Sequence, residues 1–394
     1  MDQKIMSEDC SSCGLCASVF NSPLEKDSKG YLHPNLNKMS IEEATRVAEV
    51  CPATSHYEKD LDGSIWGKYH NVYLGNSKDK KIQYKASSGG ILTSVASYLL
   101  DSKKIDGVIH TAVQEGSPYK TEAVISTTTQ ELVSRSGSRY AISSPLLTIK
   151  RYLDSDKKYC FIGKPCDVVV LRNYFKMHPE YSEKIPYMLS FFCAGLPSND
   201  AQKKLINELG FRENEVEKLR YRGNGWPGYA KATTVDGAEK ELDYNKSWGN
   251  ILGRDIMKIC RFCLDGIGEL ADISCGDAWY LNADGSPDFS EHDGRNVIFA
   301  RNKKGDSLLR ETYESGYIEM KPYENIEELN NSQYHQYSRR ATMLGQTAGM
   351  RIMKKPVPLY NRKLLVKYAV EGKQLKGNLG RLKGTIARSL KGSI

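Results

Sequence analysis

The spacing of apolar residues changes along the chain, and each change predicts an element. SIEEATRVAEVCPA (40–53) reads as a helix: Ser40 can cap it, Glu42 and Glu43 suit its first turn, and Pro52 ends it. NVYLGN (71–76) alternates like a strand. KASSGGILTSVASYLLD (85–101) starts with small residues and continues with Ile91, Val95 and Leu99 on one helical face. DGVIHTAVQ (106–114) and TEAVIST (121–127) read as strands, followed by a turn around GSRYAISSP (137–145). KYCFIGKPC (158–166) and PYMLSFFCAG (186–195) are apolar, aromatic-rich runs with a cysteine at the exit, the pattern of buried strands. AQKKLINELGF (201–211) is amphipathic and helical, GNGWPG (223–228) is a tight turn, and ADISCGDAW (271–279) and NVIFARN (296–302) are strands.

This alternation of strands and helices predicts an α+β or mixed α/β body with a mixed sheet and flanking helices. A small cysteine-bearing module precedes it at 1–58, with a linker at 59–68. The body divides into units at 68–150 and 151–335, and a tail occupies 336–394. No internal repeat or low-complexity tract interrupts this order.

Hydrophobic residues make up 40% of the 394, enough for a core, yet no run approaches the roughly 18 apolar residues of a spanning helix. The first ten residues lack a basic stretch followed by an apolar one, so the expectation is a cytoplasmic protein. The net charge of +8 is unevenly placed. From Arg351 to Ile394 twelve Lys/Arg face one acid, Glu371, a balance of +11; the remainder carries 44 bases against 47 acids. The basicity belongs to a tail, which argues against a nucleic-acid-binding body. In that tail Leu375, Leu379, Leu382, Ile386 and Leu390 form an amphipathic stripe among lysines and arginines. It suits an anionic membrane surface at the inner face of the membrane, with a mobile solvated tail or a protein-binding segment as the alternatives. Gly377, Gly380 and Gly384 are expected to weaken the helix.

Ten cysteines in a cytosolic chain point to metal ligation or catalysis rather than disulfides. Cys10, Cys13 and Cys16 form C-x2-C-x2-C, which can wrap three corners of one iron–sulfur cube. Cys51, followed by Pro52, supplies the remote fourth thiolate of a bacterial-type ferredoxin site. The module thus resembles half of a two-cluster ferredoxin and is expected to hold one [4Fe–4S] cluster; structural zinc and four plain buried thiols are the alternatives. Gly14 permits close approach of the loop backbone. Cys260 and Cys263 form a second pair, expected as a hairpin, and Cys166 and Cys193 are its best partners because both sit where an apolar strand ends. Cys160 and Cys275 are left over as core thiols. The seven histidines show no ligand spacing, and the chain has no Walker loop or nucleophile elbow.

KASSGGILTS (85–94), GSRYA (137–141), FIGKPCDVVVLRNY (161–174), FFCAGLPS (191–198), YRGNGWPG (221–228), CRFCLDG (260–266) and ELADISCGDAW (269–279) together resemble the β-subunit family of the coenzyme F420-reducing hydrogenases and related dehydrogenases. The resemblance covers about residues 5–335. It implies FAD, one or two [4Fe–4S] clusters, and electron transfer between the clusters and a hydride acceptor, either the deazaflavin coenzyme F420 or a polysaccharide-synthesis intermediate. It also implies ferredoxin or another low-potential donor as partner, and it strengthens the second ligand set. An electron-transfer subunit or redox-sensing iron–sulfur protein without a substrate site is the alternative.

Within that resemblance, Ser87-Ser88-Gly89-Gly90 before a helix suits a phosphate, although a plain cap reads the same. Gly137, Ser138, Arg139 and Tyr140 offer a flexible turn, a cation and a ring for pyrophosphate or stacking, with a solvated turn as the bland reading. Lys164 places a cation beside Cys166, where it would stabilise added negative charge on a flavin or cluster. Gly225 and Trp226 lie in the tight turn, and Trp226 is expected either to stack on a planar ring or to anchor the turn. Gly276 and Asp277 follow a strand, and Asp277 is the candidate for a polar contact or proton relay.

Overall fold

Strand residues of opposite parity reach two different cores, and that alternation organises the molecule. The computed structural model describes residues 9–54, 61, 64–358 and 360–391. Residues 59, 60, 62 and 63 of the expected linker, and residues 1–8, 55–58, 359 and 392–394 of the expected module and tail, lie outside the described residues. Thirteen strands are described: β1 (Leu24–Lys26), β2 (Leu32–Pro34), β3 (Asn71–Ser77), β4 (Gly107–Val113), β5 (Thr121–Ser126), β6 (Tyr159–Gly163), β7 (Tyr187–Phe191), β8 (Val216–Arg220), β9 (Ala230–Thr234), β10 (Glu239–Leu242), β11 (Ile273–Asp277), β12 (Asn296–Ala300) and β13 (Ile318–Pro322). The principal helices are α1 (Leu15–Phe20), α2 (Ile41–Val50), α3 (Ile91–Asp101), α4 (Pro165–Met177), α5 (Asn199–Glu208), α6 (Lys303–Glu314), α7 (Tyr334–Ile352), α8 (Arg362–Glu371) and α9 (Leu375–Leu390).

Eight strands form one mixed sheet in the order β13-β3-β12-β11-β7-β6-β4-β5. Its centre, β11, β7, β6 and β4, is parallel, and the pairs toward both edges are antiparallel. The expected mixed α/β body is therefore present. Val108, Cys160, Leu189, Cys275 and Ile298 point to one face and pack with Val95 and Leu99 of α3 and Leu308 of α6. Their strand neighbours Ile109, Phe161 and Met188 point the other way, onto Val168 and Leu171 of α4. Cys160 and Cys275 are thus core residues on the α3 face. β8–β10 form a separate three-stranded sheet that packs with α5.

The N-terminal segment shares its core with the body. Leu15, Val47 and Val50 pack with Phe161 and Val168. The Leu146 amide donates to the Cys13 carbonyl at 3.0 Å, and Asn173 Nδ2 donates to the Val50 carbonyl at 3.2 Å. Helix α2 starts where the sequence predicted, with a complete capping box: the Glu43 amide donates to Ser40 Oγ (3.2 Å) and the Ser40 amide to Glu43 Oε2 (2.8 Å).

Three expectations needed correction. Cys166 does not end a strand but lies in the first turn of α4, because Pro165 starts a helix directly after β6. Cys260 and Cys263 sit on a 3-10 turn spanning Lys258–Phe262 and just beyond it, not on a hairpin. The C-terminal residues through Lys391 are docked helices, not a mobile tail. α9 lies along α7, and one of its glycines serves that contact: a Cβ on Gly377 would come within 3.0 Å of Thr342 Cγ2, and one on Gly345 of α7 within 2.0 Å of the Asn378 carbonyl. Glycine here allows two backbones to touch.

Candidate functional site

A cavity of about 810 Å³ opens at the carboxyl ends of β6, β7 and β11, where parallel sheets bind ligands. That volume falls in the roughly 300–1,000 Å³ range of cofactor and small-molecule sites. The cavity gathers Ser87, Ser88 and Gly90, Gly137 to Tyr140, Lys164, Cys193, and Gly276 with Asp277. Residues expected from five separate motifs therefore meet in one place.

Gly90 caps α3 with φ +82°, and no side chain caps the helix in the usual way. The first turn of α3, Ile91 to Thr93, faces the cavity. Around it, Ser87 Oγ accepts the Ser138 amide at 2.7 Å. Asn296 Nδ2 donates to Ser88 Oγ at 2.9 Å, and its Oδ1 accepts the Ile91 amide at 3.3 Å. A polar, positively polarised helix start is thus held open by hydrogen bonds between segments far apart in sequence. Gly89 carries the same logic from behind: a Cβ there would press on the Asn296 amide at 2.8 Å.

Asp277 is engaged on both carboxylate oxygens. Both its oxygens take Arg222 at 2.9 Å, and Oδ1 also accepts Trp226 Nε1 at 2.8 Å. With its oxygens so engaged, Asp277 is placed to orient Arg222. Burial works against the Arg222 charge, but the Asp277 carboxylate holds its pKa well above the usual value. Trp226 is buried and stacks on Trp279 at 4.6 Å and 5°, so it anchors the turn while Trp279 faces the cavity. Gly225 lies behind this wall; a Cβ there would meet Glu291 Oε1 at 2.2 Å. Arg222 lies over Trp279 (5.2 Å) and Tyr244 (4.8 Å). Arg139 spends its guanidinium on the Leu219 and Pro118 carbonyls at 3.1 and 2.8 Å. Its buried Nε has no partner.

Lys164 is buried beside the cavity. Its Nζ lies 2.9 Å from Asp167 Oδ2 and from Ser143 Oγ. Burial opposes its charge, but Asp167, Cys166 and Cys193 raise its pKa above the usual value. The Asp167 carboxyl is itself pushed up by burial and pulled back by Lys164.

Two sets of four thiols flank this ion pair. Cys10, Cys13, Cys16 and Cys51 line a small cavity on the α4 side. Burial is the main cause that raises all four thiols, Cys13, Cys16 and Cys51 to about 12, and neighbouring thiols of the set add to it. Against this, the amides of Ser12, Leu15, Ala17 and Ala53 donate to the sulfurs of Cys10, Cys13, Cys16 and Cys51, which favours thiolates. In the second set burial again dominates, taking Cys260 to about 11 and Cys263 to about 12. Cys166 and Cys193 are raised too, and the charges of all four act on one another. Arg339 lowers Cys193, Cys260 and Cys263; it donates to the Ala194 carbonyl at 2.5 Å. Lys164 acts on Cys13 in the first set and on Cys166, Cys193 and Cys260 in the second. Among the described residues no three His, Cys, Asp or Glu side chains close tightly enough to hold a single metal ion.

Trp279 falls in the Gly276–Trp279 stretch expected near a cofactor edge, whereas Arg222, Asn296 and His110 are not singled out from sequence. Arg222 stands directly before the glycine-rich turn, the one local hint. His110 looks like an ordinary strand residue, and only the fold brings it to the cavity.

Two family descriptions match the chain, both of the coenzyme F420 hydrogenase/dehydrogenase beta subunit: its N-terminal part over residues 72–150 and its C-terminal part over residues 156–326. The coenzyme F420 hydrogenase beta chain of Methanothermobacter thermautotrophicus is 28% identical over 273 residues, covering 66% of this chain and 88% of that protein. The coenzyme F420-dependent sulfite reductase of Methanocaldococcus jannaschii is 27% identical over 340 residues, covering 81% of this chain and 47% of that protein. Among solved structures, a chain of the F420-reducing [NiFe] hydrogenase complex from Methanosarcina barkeri matches with a TM-score of 0.52 and 24% identity. The match covers 70% of this chain and 93% of that one, and it shows a shared fold.

Proposed function

The chain belongs to the coenzyme F420 hydrogenase/dehydrogenase beta-subunit family, and from that premise we propose that it is an FAD- and [4Fe–4S]-dependent oxidoreductase that exchanges electrons with a partner protein and a small hydride acceptor. One observation carries the reading: the large cavity and the second thiol set share Cys193, so a cofactor in the one would adjoin a cluster in the other. Cys10, Cys13, Cys16 and Cys51 would hold one cluster, and Cys166, Cys193, Cys260 and Cys263 a second. Their donor chemistry fits: eight thiols withdrawn from full exposure, amides aimed at several of the sulfurs, and a first set that rings a space rather than a point.

When bound, a flavin trades electron pairs with a hydride acceptor and single electrons with iron–sulfur cubes. The chain's own residues place and shield these groups. The open first turn of α3, with Ser88 and Asn296, receives an anionic group such as a phosphate. Trp279 and Tyr244, braced by Arg222, offer a flat apolar wall to a planar ring. Lys164 puts positive charge between the cavity and the thiols, where it stabilises added negative charge. The acceptor is either coenzyme F420, as in the names of the relatives, or an oxidised intermediate of polysaccharide synthesis.

Anaerobic purification followed by iron, sulfide and flavin analysis tests the proposal. The expected result is about eight irons per chain, as two four-iron cubes require, with one flavin released as FAD. A colourless, metal-free protein prepared without oxygen would overturn it.

A further inference from the structure

Helix α9 docks through a side other than its apolar stripe, which lies beside the buried face and largely outside it. The side it buries is small and polar: Asn378, Thr385 and Ser389 face the body. Asn378 Oδ1 accepts the Gly345 amide at 2.8 Å, and its Nδ2 donates to the Ala341 carbonyl at 2.7 Å. Thr385 fits against Gly349, where a Cβ would come within 2.9 Å of Thr385 Cβ. These contacts fix the rotation of the helix and leave Leu375, Leu379 and Leu390 facing outward. Leu375 is 76% exposed, Leu379 52% and Leu390 72%. Leu382 and Ile386 complete the stripe and are half-buried.

At about 100° per residue these five side chains fall within an arc of roughly 80°. Lys376 and Lys383 project next to that arc on the side away from the body, and Lys391 lies just beyond. The segment from Arg351 onward carries twelve basic residues against one acid, while the rest of the chain is close to neutral. An outward apolar stripe edged by lysines matches a surface that is apolar beneath and anionic on top. No described helix is long and apolar enough to cross a membrane, so such an association would be interfacial.

We propose that the outer face of α9 lies on an anionic phospholipid surface, with Leu375, Leu379 and Leu390 in the boundary between headgroups and acyl chains and Lys376, Lys383 and Lys391 against the headgroups. Charge complementarity selects this occupant, and the exposed leucines separate it from a purely electrostatic encounter. The proposal does not depend on the redox reading.

The test is vesicle co-sedimentation of the full-length protein. Vesicles of phosphatidylglycerol mixed with phosphatidylcholine should pull down most of the protein, and pure phosphatidylcholine little of it. The L379E/L390E variant should bind the anionic vesicles at least roughly tenfold less well, as should K376E/K383E. The four positions are solvent-facing, so both variants should keep the parent's Tm and cofactor content. Equal sedimentation of parent and variants, or capture by an acidic protein surface with none by vesicles, would overturn the proposal.

Discussion

Asp277 shows how a residue can be legible in position while its partner is not. Its strand-end position and polar character are legible locally, but the partner that defines its role, Arg222, lies 55 residues away and is invisible to local pattern. Asp277→Asn keeps an acceptor for Trp226 Nε1 but leaves a buried guanidinium without its counter-charge. Breaking such a pair should cost about 3–5 kcal/mol, read as a lower midpoint in urea, together with loss of FAD from the purified protein. His110 gives a second residue-scale expectation. Burial is the main cause and the Arg135 charge the second that lower its pKa from 6.5 to about 4. Its ring lies 2.8 Å from Ser126 Oγ. Because the folded value is depressed, both states are neutral above pH 6.5 and no stability is lost there. As pH falls from 6.5 toward 4 the unfolded chain takes the proton first, and folding weakens by up to roughly 3 kcal/mol. His110→Gln keeps a hydrogen-bonding side chain and removes the titration, so its Tm should fall less than the parent's between pH 7 and pH 5.

At the scale of elements, strands and capped helices were the legible part. β3, β4, β5, β7, β11 and β12 lie where alternation or apolar runs put them, and α2 begins at its capping Ser40. The helix that starts at Pro165, α4, and helices α6 and α7 were not read. Val168, Val169 and Val170 make α4 look like a strand in isolation, and α7 carries two arginines, Arg339 and Arg340, that only the fold buries. Arg340 is satisfied by the Leu264 and Ser64 carbonyls and by Glu269 at 2.6, 2.9 and 2.8 Å, partners no periodicity announces. The α7–α9 contact makes a prediction of its own. Gly345→Ala would drive a methyl group into the Asn378 carbonyl. It should destabilise the protein by about 1–3 kcal/mol and make the peptide bonds after Lys373 accessible to trypsin. Gly380→Ala, where a Cβ meets nothing within 4 Å, should be neutral or slightly stabilising.

For the whole molecule, the cysteine positions were the most transferable signal. The eight proposed ligands divide into two sets of four in space as they do in sequence, with Lys164 and Asp167 in electrostatic reach of both. The cavity was legible only as scattered glycines, because its walls come from strand ends that the sheet order alone brings together. The two sets predict separable losses. Cys13→Ser should remove about half the iron and leave the flavin, whereas Cys260→Ser should remove the other half and weaken flavin retention, since its set adjoins the cavity. Iron and flavin counts on the two variants check this; identical losses in both would contradict two independent sites.

The bracing of the Cys260–Cys263 turn by α7 also has a consequence for how the protein is made. Gln336 and Arg339 donate to the Cys193 carbonyl and Arg340 to that of Leu264, so this thiol set is finished only once residues beyond 340 have left the ribosome. At about 5–20 residues per second, the nascent chain carries its last two thiols unbraced for several seconds. During that interval they are open to oxidants and to metal ions.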